Sequence, residues 1–365
     1  MTKYLFTIIL FSHGLIHFIE FARVFGNDHV SKFSKELPGL EAFLWLITAA
    51  FFIFSTTLFL RREKTWPYIV ISTAVVSQVL IFSVWNDTWL GTLINLVLIL
   101  VALPALMQIR LTKQIDREAV ILSRFNVHNK FITRAQLDPL PVIVRKWLTH
   151  SGVIGKDEIR FVRLKQKGKI RLKPNGKWMA LDAEQFINAV TPSFLWKATV
   201  QLLPGVFLSG TDRFFAGKGE MHMKLFALIK VAEELPSPKM NSATMIRFLS
   251  EIMWHPTAAL HEYIHWEDIG ANMAKASFSL EQQTVSGIFT FSEEGDVTGF
   301  EAERYKETGV DAVSVKWEIK VSGYKDFSAY RIPCKAEVTW YLPTGKFTSA
   351  SFEIESLEFN VRLHA

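Results

Sequence analysis

The sequence predicts a multi-span α-helical membrane anchor followed by an α+β domain, built as a curved antiparallel sheet covered by helices. Three observations predict it: four long apolar runs open the chain, short alternating runs parted by Gly, Asn and Pro fill its second half, and 30 of its 365 residues are Phe. A formal net charge of +6 adds an expectation of an anionic neighbour, with lipid headgroups the candidate nearest to hand.

The apolar runs cover Tyr4 to Phe25, Leu40 to Leu60, Trp66 to Trp85 and Trp89 to Met107. Each approaches the ~20 residues that a helix needs to cross ~30 Å of hydrocarbon. The first run lacks a small-residue cleavage site and reads as a retained helix. Trp45, Trp66, Trp85 and Trp89 stand near span ends, where interfacial aromatics collect. Lys3, Arg61, Arg62, Lys64, Arg110, Lys113 and Arg117 fall on one side, against Arg23, Lys32 and Lys35 on the other. This bias predicts a multi-pass protein of the cytoplasmic membrane with both termini cytoplasmic.

Residues 1–109 therefore read as a four-helix transmembrane domain, 110–137 as a charged connector and 138–365 as a β-rich domain. Within the last, Leu140 to His150 suggests a short helix, and Ser242 to Trp254 a longer one stopped by Pro256. "FSEEGDVTGF" and "WYLPTGKFTSASFEI" carry Gly at hairpin turns. The single cysteine, Cys334, excludes an intramolecular disulfide and a cysteine zinc site.

Three patterns carry chemistry. In "RFVRLKQKGKIRLK", strand periodicity sends Arg163, Lys165, Lys167, Lys169, Arg171 and Lys173 to one face and Val162, Leu164, Ile170 and Leu172 to the other. The basic face suits anionic headgroups, or plain solvation at a lysine-rich sheet surface. In the first span, His13, His17 and Glu20 fall within a sector of about 60° on one helix face, and Gln78 and Asn95 from later spans are candidate partners. Such a stripe fits an intramembrane redox or proton-coupled site, or polar pairing between helices.

The third pattern is "HEYIH", residues 261–265, which spells a zinc-protease signature. That chemistry needs both histidines one turn apart on a helix and a third ligand downstream. Here Pro256 breaks the preceding helix, Ala276, Phe278 and Leu280 alternate as in a strand, and the only later histidine is His364. No metal site is expected, and the metalloprotease ranks as the third functional reading.

The β-rich part resembles an uncharacterised bacterial family, a domain of unknown function found behind membrane helices. The likeness runs along residues 139 to 360, on "LPVIVRKWLTHSGVIG", "VRLKQKGKIRLKPNGKWMALDAEQF", "GTDRFFAGKGEMHMK", "RFLSEIMWHPTAAL", "FTFSEEGDVTGFEAERY" and "IPCKAEVTWYLPTGKF". Positions matching that family include Glu184, Gln185, Asp212, Glu251 and Arg304, with Trp196, Trp254, Trp266 and Trp340. The closing "YRIPCKAEVTWYLPTGKFTSASFEIESLEFN" is similar to bacterial lipoprotein carriers, whose half-open β-barrel covers an apolar cavity with helices. The spans resemble DoxX-like four-helix membrane proteins in helix count and in "GTLINLVLIL".

These observations lead to one functional expectation, a membrane-tethered binding protein for an apolar or amphiphilic ligand, most simply lipid, beside the bacterial inner membrane. Trp196, Asp212, Phe248, Glu251, Trp254, Trp266, Arg304 and Trp340 are its candidate pocket residues. Catalysis, a cofactor and nucleic acid are not expected; membrane lipids are the expected partners, with an unidentified membrane protein possible. The rival reading places function in the spans at His13, His17 and Glu20.

Overall fold

The computed structural model describes residues 2–24, 39–124 and 130–364. Phe25, Lys32 and Lys35, used above for the first span and loop, lie outside the described residues. The chain divides into two compact units, Met1–Thr112 with Phe226–Leu228, and Lys113–Leu225 with Ile229–Ala365.

The first unit is helical: α1 (Thr2–Val24), α2 (Gly39–Leu60), α3 (Trp66–Ser83), the short α4 (Trp85–Thr88) and α5 (Leu90–Leu122) as far as Thr112. Of these, α1, α2, α3 and α5 are long and apolar enough to cross a membrane. They are apolar on both sides: Phe6, Leu10, Phe52, Val70 and Leu98 form the interior, while Phe18, Phe54, Val79 and Leu100 are exposed. That distribution suits hydrocarbon, not water, as the surrounding medium. Trp85 and Trp89 are exposed, but Trp45 and Trp66 are buried in the helical interior, so the belt expected of all four holds for two.

The fourth run becomes a helix that continues past Lys113 and Arg117 to Leu122, into the stretch read as a connector. Its charges hide an amphipathic pattern. Ile115, Ala119 and Leu122 recur at helical spacing and are all buried. Pro104 sits inside this helix.

The second unit is a single antiparallel sheet with thirteen strands among the described residues. The first six are β1 (Phe161–Ile170), β2 (Met179–Asn188), β3 (Ser193–Leu203), β4 (Val206–Phe215), β5 (Lys218–Leu225) and β6 (Ile229–Glu234). The others are β7 (Ile264–Gly270), β8 (Met273–Leu280), β9 (Gln283–Phe291), β10 (Val297–Tyr305), β11 (Ser314–Phe327), β12 (Tyr330–Leu342) and β13 (Gly345–Phe359). Their spatial order, β6-β5-β4-β3-β2-β1-β13-β12-β11-β10-β9-β8-β7, is two meanders joined where β1 pairs with β13. Nearly all pairings are therefore hairpins, and one long-range seam, Val162 opposite Phe359 to Ile170 opposite Ala350, unites the sheet. A bulge between Lys165 and Gln166 interrupts its register. Gly168 lies on the seam, where a Cβ would overlap the Ser351 carbonyl and the Phe352 backbone.

Between the meanders runs α7 (Pro238–Glu251), continued by 3-10 turns at Ile252–Trp254 and Pro256–Leu260. Ser237 caps it by accepting from the Met240 amide at 3.2 Å, and Pro238 occupies its first turn. The helix packs against β4 and β5 of one meander and β8, β9 and β10 of the other, so the sheet curves around it as a half-barrel. Gly219 of β5 has no room for a side chain beside Thr244 of α7. A second cover helix, α6 (Val142–His150), seats Trp147 against Trp266, Phe289 and Phe291. The core they enclose is continuous, from Trp147 and Ile159 through Phe248, Phe278 and Phe300 to Trp340 and Phe347. Each fully buried large side chain contributes ~1.5–3 kcal/mol. On the opposite, outer face the last turns of α5 join the sheet: Asp116 pairs with Lys197 at 2.8 Å, Glu118 with Arg213 at 2.9 Å, and Asn188 donates to the Leu122 carbonyl at 2.9 Å.

Candidate functional site

Strand alternation sends Gln166, Gln185, Trp196, Asp212 and Arg304 to the inner face of the sheet, where α7 adds Arg247 and Glu251 one turn apart. Arg247 organises the group. Its Nε donates to Glu251 at 2.8 Å, one terminal nitrogen meets Asp212, and the other donates to Gln185 at 3.3 Å. Gln185 donates in turn to Glu251 at 2.5 Å. The guanidinium lies 4.8 Å from the Phe194 ring centroid and 5.0 Å from that of Trp196, whose indole donates to Gln166 at 3.1 Å.

Burial pulls the Arg247 pKa down, but Glu251 and Asp212 together outweigh it and hold it above its ordinary value. Burial also raises Asp212, against the pull of Arg247 and Arg304. These two directions compete within one contact. The Asp212 side chain keeps 23% exposure and faces two guanidiniums, so its ionised form is the one consistent with the geometry. Arg304 is lowered to about 10, by burial first and then by Arg247.

Beside this polar group lies an apolar cluster separate from the main core: Leu181, Ala183, Ala198, Val200 and Leu208, all buried, flanked by the partly exposed Leu202, Met223 and Leu225. Trp196 packs at the margin of both clusters. The inner face thus carries charge pairs and an apolar strip side by side.

Of the pocket residues expected from sequence, Trp196, Asp212, Glu251, Arg304 and Trp340 gather at this polar group. Phe248, Trp254 and Trp266 instead fill the core: Phe248 packs on Phe214 and Phe278, Trp254 on Phe352, and the Trp266 indole donates to the Ala259 carbonyl at 3.0 Å. Sequence reasoning did not place Arg247, Gln166 and Trp317 at the site. Arg247 was legible as the i−4 partner of Glu251, but its reach to Asp212 and Gln185 depends on where α7 crosses the sheet.

The four basic residues within β1, Arg163, Lys165, Lys167 and Lys169, fall on the outer face, and two of them are paired with carboxylates. Arg163 pairs with Glu184 at 2.8 Å and Glu358 at 3.6 Å, and Lys167 pairs with Glu355 at 2.8 Å. Lys169 and Arg171 lie over Trp178, at 5.1 and 4.7 Å. Lys165 and Lys173 are exposed. A groove of about 510 Å³ crosses this face between Lys167, Lys169, Lys320, Lys335, Glu337 and Glu353. Leu172, expected to point inward, lies beyond the end of β1 and is 44% exposed.

In the helical unit the polar residues also meet. Asn95 Nδ2 donates to Ser77 Oγ at 3.0 Å and Gln78 Oε1 at 3.1 Å, so its Oδ1 accepts from His13 Nε2 at 2.9 Å. His17 Nδ1 donates to the His13 carbonyl at 3.0 Å, which leaves His17 Nε2 to accept from Ser77 Oγ at 2.9 Å. Gln78 donates to Thr92 at 2.9 Å. The network fixes both histidine tautomers. Among the described residues, His13 Nδ1, a buried lone pair, is the atom of this network that lacks a partner. Glu20, expected on the same stripe, pairs with Arg23 at 2.8 Å.

"HEYIH" is not helical. His261 follows the 3-10 turn at Pro256–Leu260, and His265 is an exposed residue of β7. His261 stacks on Tyr263 with centroids 4.9 Å apart, and its Nε2 stands 3.5 Å from Glu158. Next to it His255 is fully buried, with both ring nitrogens unpartnered among the described residues. Burial, and then the proximity of His261, depresses the His255 pKa to about 3.

Comparison with known proteins gives a family without an activity. The model of a family of unknown function, DUF6544, matches residues 130–352. No curated protein matches the chain. Among solved structures, a DUF1329 family protein from Desulfovibrio piger is 10% identical with a TM-score of 0.35, covering 62% of this chain and 95% of that one. A LolA superfamily protein from Nitrosomonas europaea is 7% identical with a TM-score of 0.33, covering 60% of this chain and 91% of that one. Likenesses this distant carry no inference about ligand.

Proposed function

We propose that this chain, which belongs to the DUF6544 family of unknown function, is a membrane-tethered binding protein for an amphiphilic lipid held on the inner face of its sheet. The observation that carries the reading is the pairing of an apolar strip, Leu181 to Leu208, with the Arg247, Asp212 and Glu251 group beside it. A closed structural domain has no need of that pairing, because buried ion pairs seldom add net stability over apolar packing. An amphiphile uses both halves: its chain enters the apolar strip at the partly exposed Leu202, Met223 and Leu225, and its head meets the polar group. Four helices fit to span a bilayer put the supply of such molecules close by.

The outer face supports a complementary contact. Lys169, Arg171 and Lys173, with the exposed Leu172 and Trp178, place cations around apolar side chains at the end of the first hairpin, a composition suited to anionic headgroups. Arg163, Lys165 and Lys167 belong to the same basic face, with Arg163 and Lys167 held by carboxylates.

The test is native mass spectrometry and lipid extraction on the full chain purified in mild detergent. A stoichiometric amphiphile, lost in Val200→Asp, is the expected result. Ligand-free protein, with added lipids failing to bind, would leave the domain as a protein-interaction module.

A second reading rests on His13 Nδ1, the atom of the intramembrane network left unpartnered among the described residues. A buried acceptor of this kind suits a donor such as a quinol hydroxyl. His13→Phe would then abolish quinol binding by the full chain; unchanged binding, or none in the parent protein, would assign the network to helix packing.

A further inference from the structure

Arg304 belongs to the same polar group but is held differently from Arg247. Its Nε donates to the Ala243 carbonyl of α7 at 2.9 Å, and its guanidinium lies 4.4 Å from the ring centroid of Trp317 and 5.3 Å from that of Trp340. These contacts fix the plane and direction of the group. Arg247, by contrast, is engaged by both carboxylates of the site. Among the described residues no carboxylate lies within ion-pair distance of Arg304, and its two terminal nitrogens have no protein acceptor. Arg304 is partly buried, and that burial is the main cause of its lowered pKa, while its terminal nitrogens keep contact with solvent.

A planar guanidinium pinned by two indoles and one carbonyl, with its outer edge unpaired, is a preorganised receptor for an oxyanion. Preorganisation matters because little side-chain freedom is then lost on binding. The polar group without a ligand is neutral, two arginines against Asp212 and Glu251, and the carboxylates are committed to Arg247. A single anionic head is therefore received by Arg304 without displacing an existing pair. Trp196, 5.0 Å from Arg247 and in contact with the apolar strip, leads from the charges to the hydrocarbon surface.

We propose that Arg304 is the head-group receptor of the site, and that the ligand is an acyl amphiphile with a carboxylate or phosphate head. This rests on the lipid-binding reading above and narrows it to anionic heads. The test compares retention of palmitate, hexadecyl phosphate and hexadecanol by the delipidated full chain in nonionic detergent. The three share one chain length and differ in head.

The parent protein should hold at least one of the anions about tenfold or more tighter than the alcohol, the size of effect expected of a charge-assisted hydrogen bond. Arg304→Gln should erase that preference, and Arg304→Lys should restore part of it. Preference for palmitate alone assigns a carboxylate head, and for hexadecyl phosphate alone a phosphate head. Equal binding of all three by the parent, or a preference that survives Arg304→Gln, overturns the receptor role and leaves the lipid-binding reading intact. No binding of any of the three sinks the lipid-binding reading itself. A cooperative thermal unfolding transition reports that the variants are folded.

Discussion

At the scale of single residues, the inner face depends on Arg247. Removing it leaves Glu251, which is buried, with Gln185 alone, and takes from the partly buried Asp212 its ion-pair partner. Arg247→Leu is expected to cost about 3–5 kcal/mol in denaturant unfolding of the full chain. Removing all three charges together, Arg247→Leu with Asp212→Asn and Glu251→Gln, should recover most of that loss, because the penalty lies in unpaired carboxylates. His255 makes a second prediction, with a sign set by its depressed pKa of about 3. The folded state keeps this histidine neutral, while the unfolded chain protonates it below ~6.5. Stability is therefore lost as pH falls from ~6.5 toward 3, by about 2 kcal/mol at pH 5 from this residue alone. His255→Leu should flatten that part of the pH profile by close to one proton; a profile unchanged by the substitution would place the linkage elsewhere. The polar positions themselves were legible in the sequence: Asp212, Glu251 and Arg304 stand at positions matching the resembled family, and Glu251 shows its partner at i−4. What brings Asp212 and Arg304 into one group is not local. They come from β4 and β10, in different meanders, and only the crossing of α7 unites them.

At the scale of elements, β1 and β13 decide whether the two meanders form one sheet. Hairpins close cheaply, whereas this seam joins segments almost two hundred residues apart. Gly168 is its tightest point, since the neighbours of an added Cβ are the Ser351 carbonyl and the Phe352 backbone, neither of which can swing away. Gly168→Ala should cost about 1–3 kcal/mol or more. Gly309→Ala, where nothing stands within 4 Å, should stay within about 0.5 kcal/mol, with thermal unfolding of both variants as the check. The short helices and hairpins announced themselves through Pro, Gly and alternation. The long α5 did not, because its last turns carry charges that mask the buried Ile115, Ala119 and Leu122. Trp45 misled for a related reason: a tryptophan near a span end looks interfacial whether it faces lipid or, as here, lies 5.0 Å from the His17 ring centroid.

At the scale of the whole molecule, one chain joins four helices long and apolar enough to cross a membrane to a curved sheet whose inner face carries both charge pairs and apolar residues. Composition announced four helices long and apolar enough to cross a membrane, and periodicity announced the sheet. The order of strands, with first beside last, was not readable, because no local signal names a partner so far along the chain. The central claim is that the ligand lies on the inner face of β2, β3, β4 and β5. The most direct measurement is photolabelling of the full chain in membranes by a lipid with a diazirine in its acyl chain, with labelled residues mapped by mass spectrometry. The account predicts labels on Leu181, Val200, Leu208 and Met223, reduced when unlabelled lipid competes. Labels confined to α1, α2, α3 and α5, with none on these strands, would contradict it.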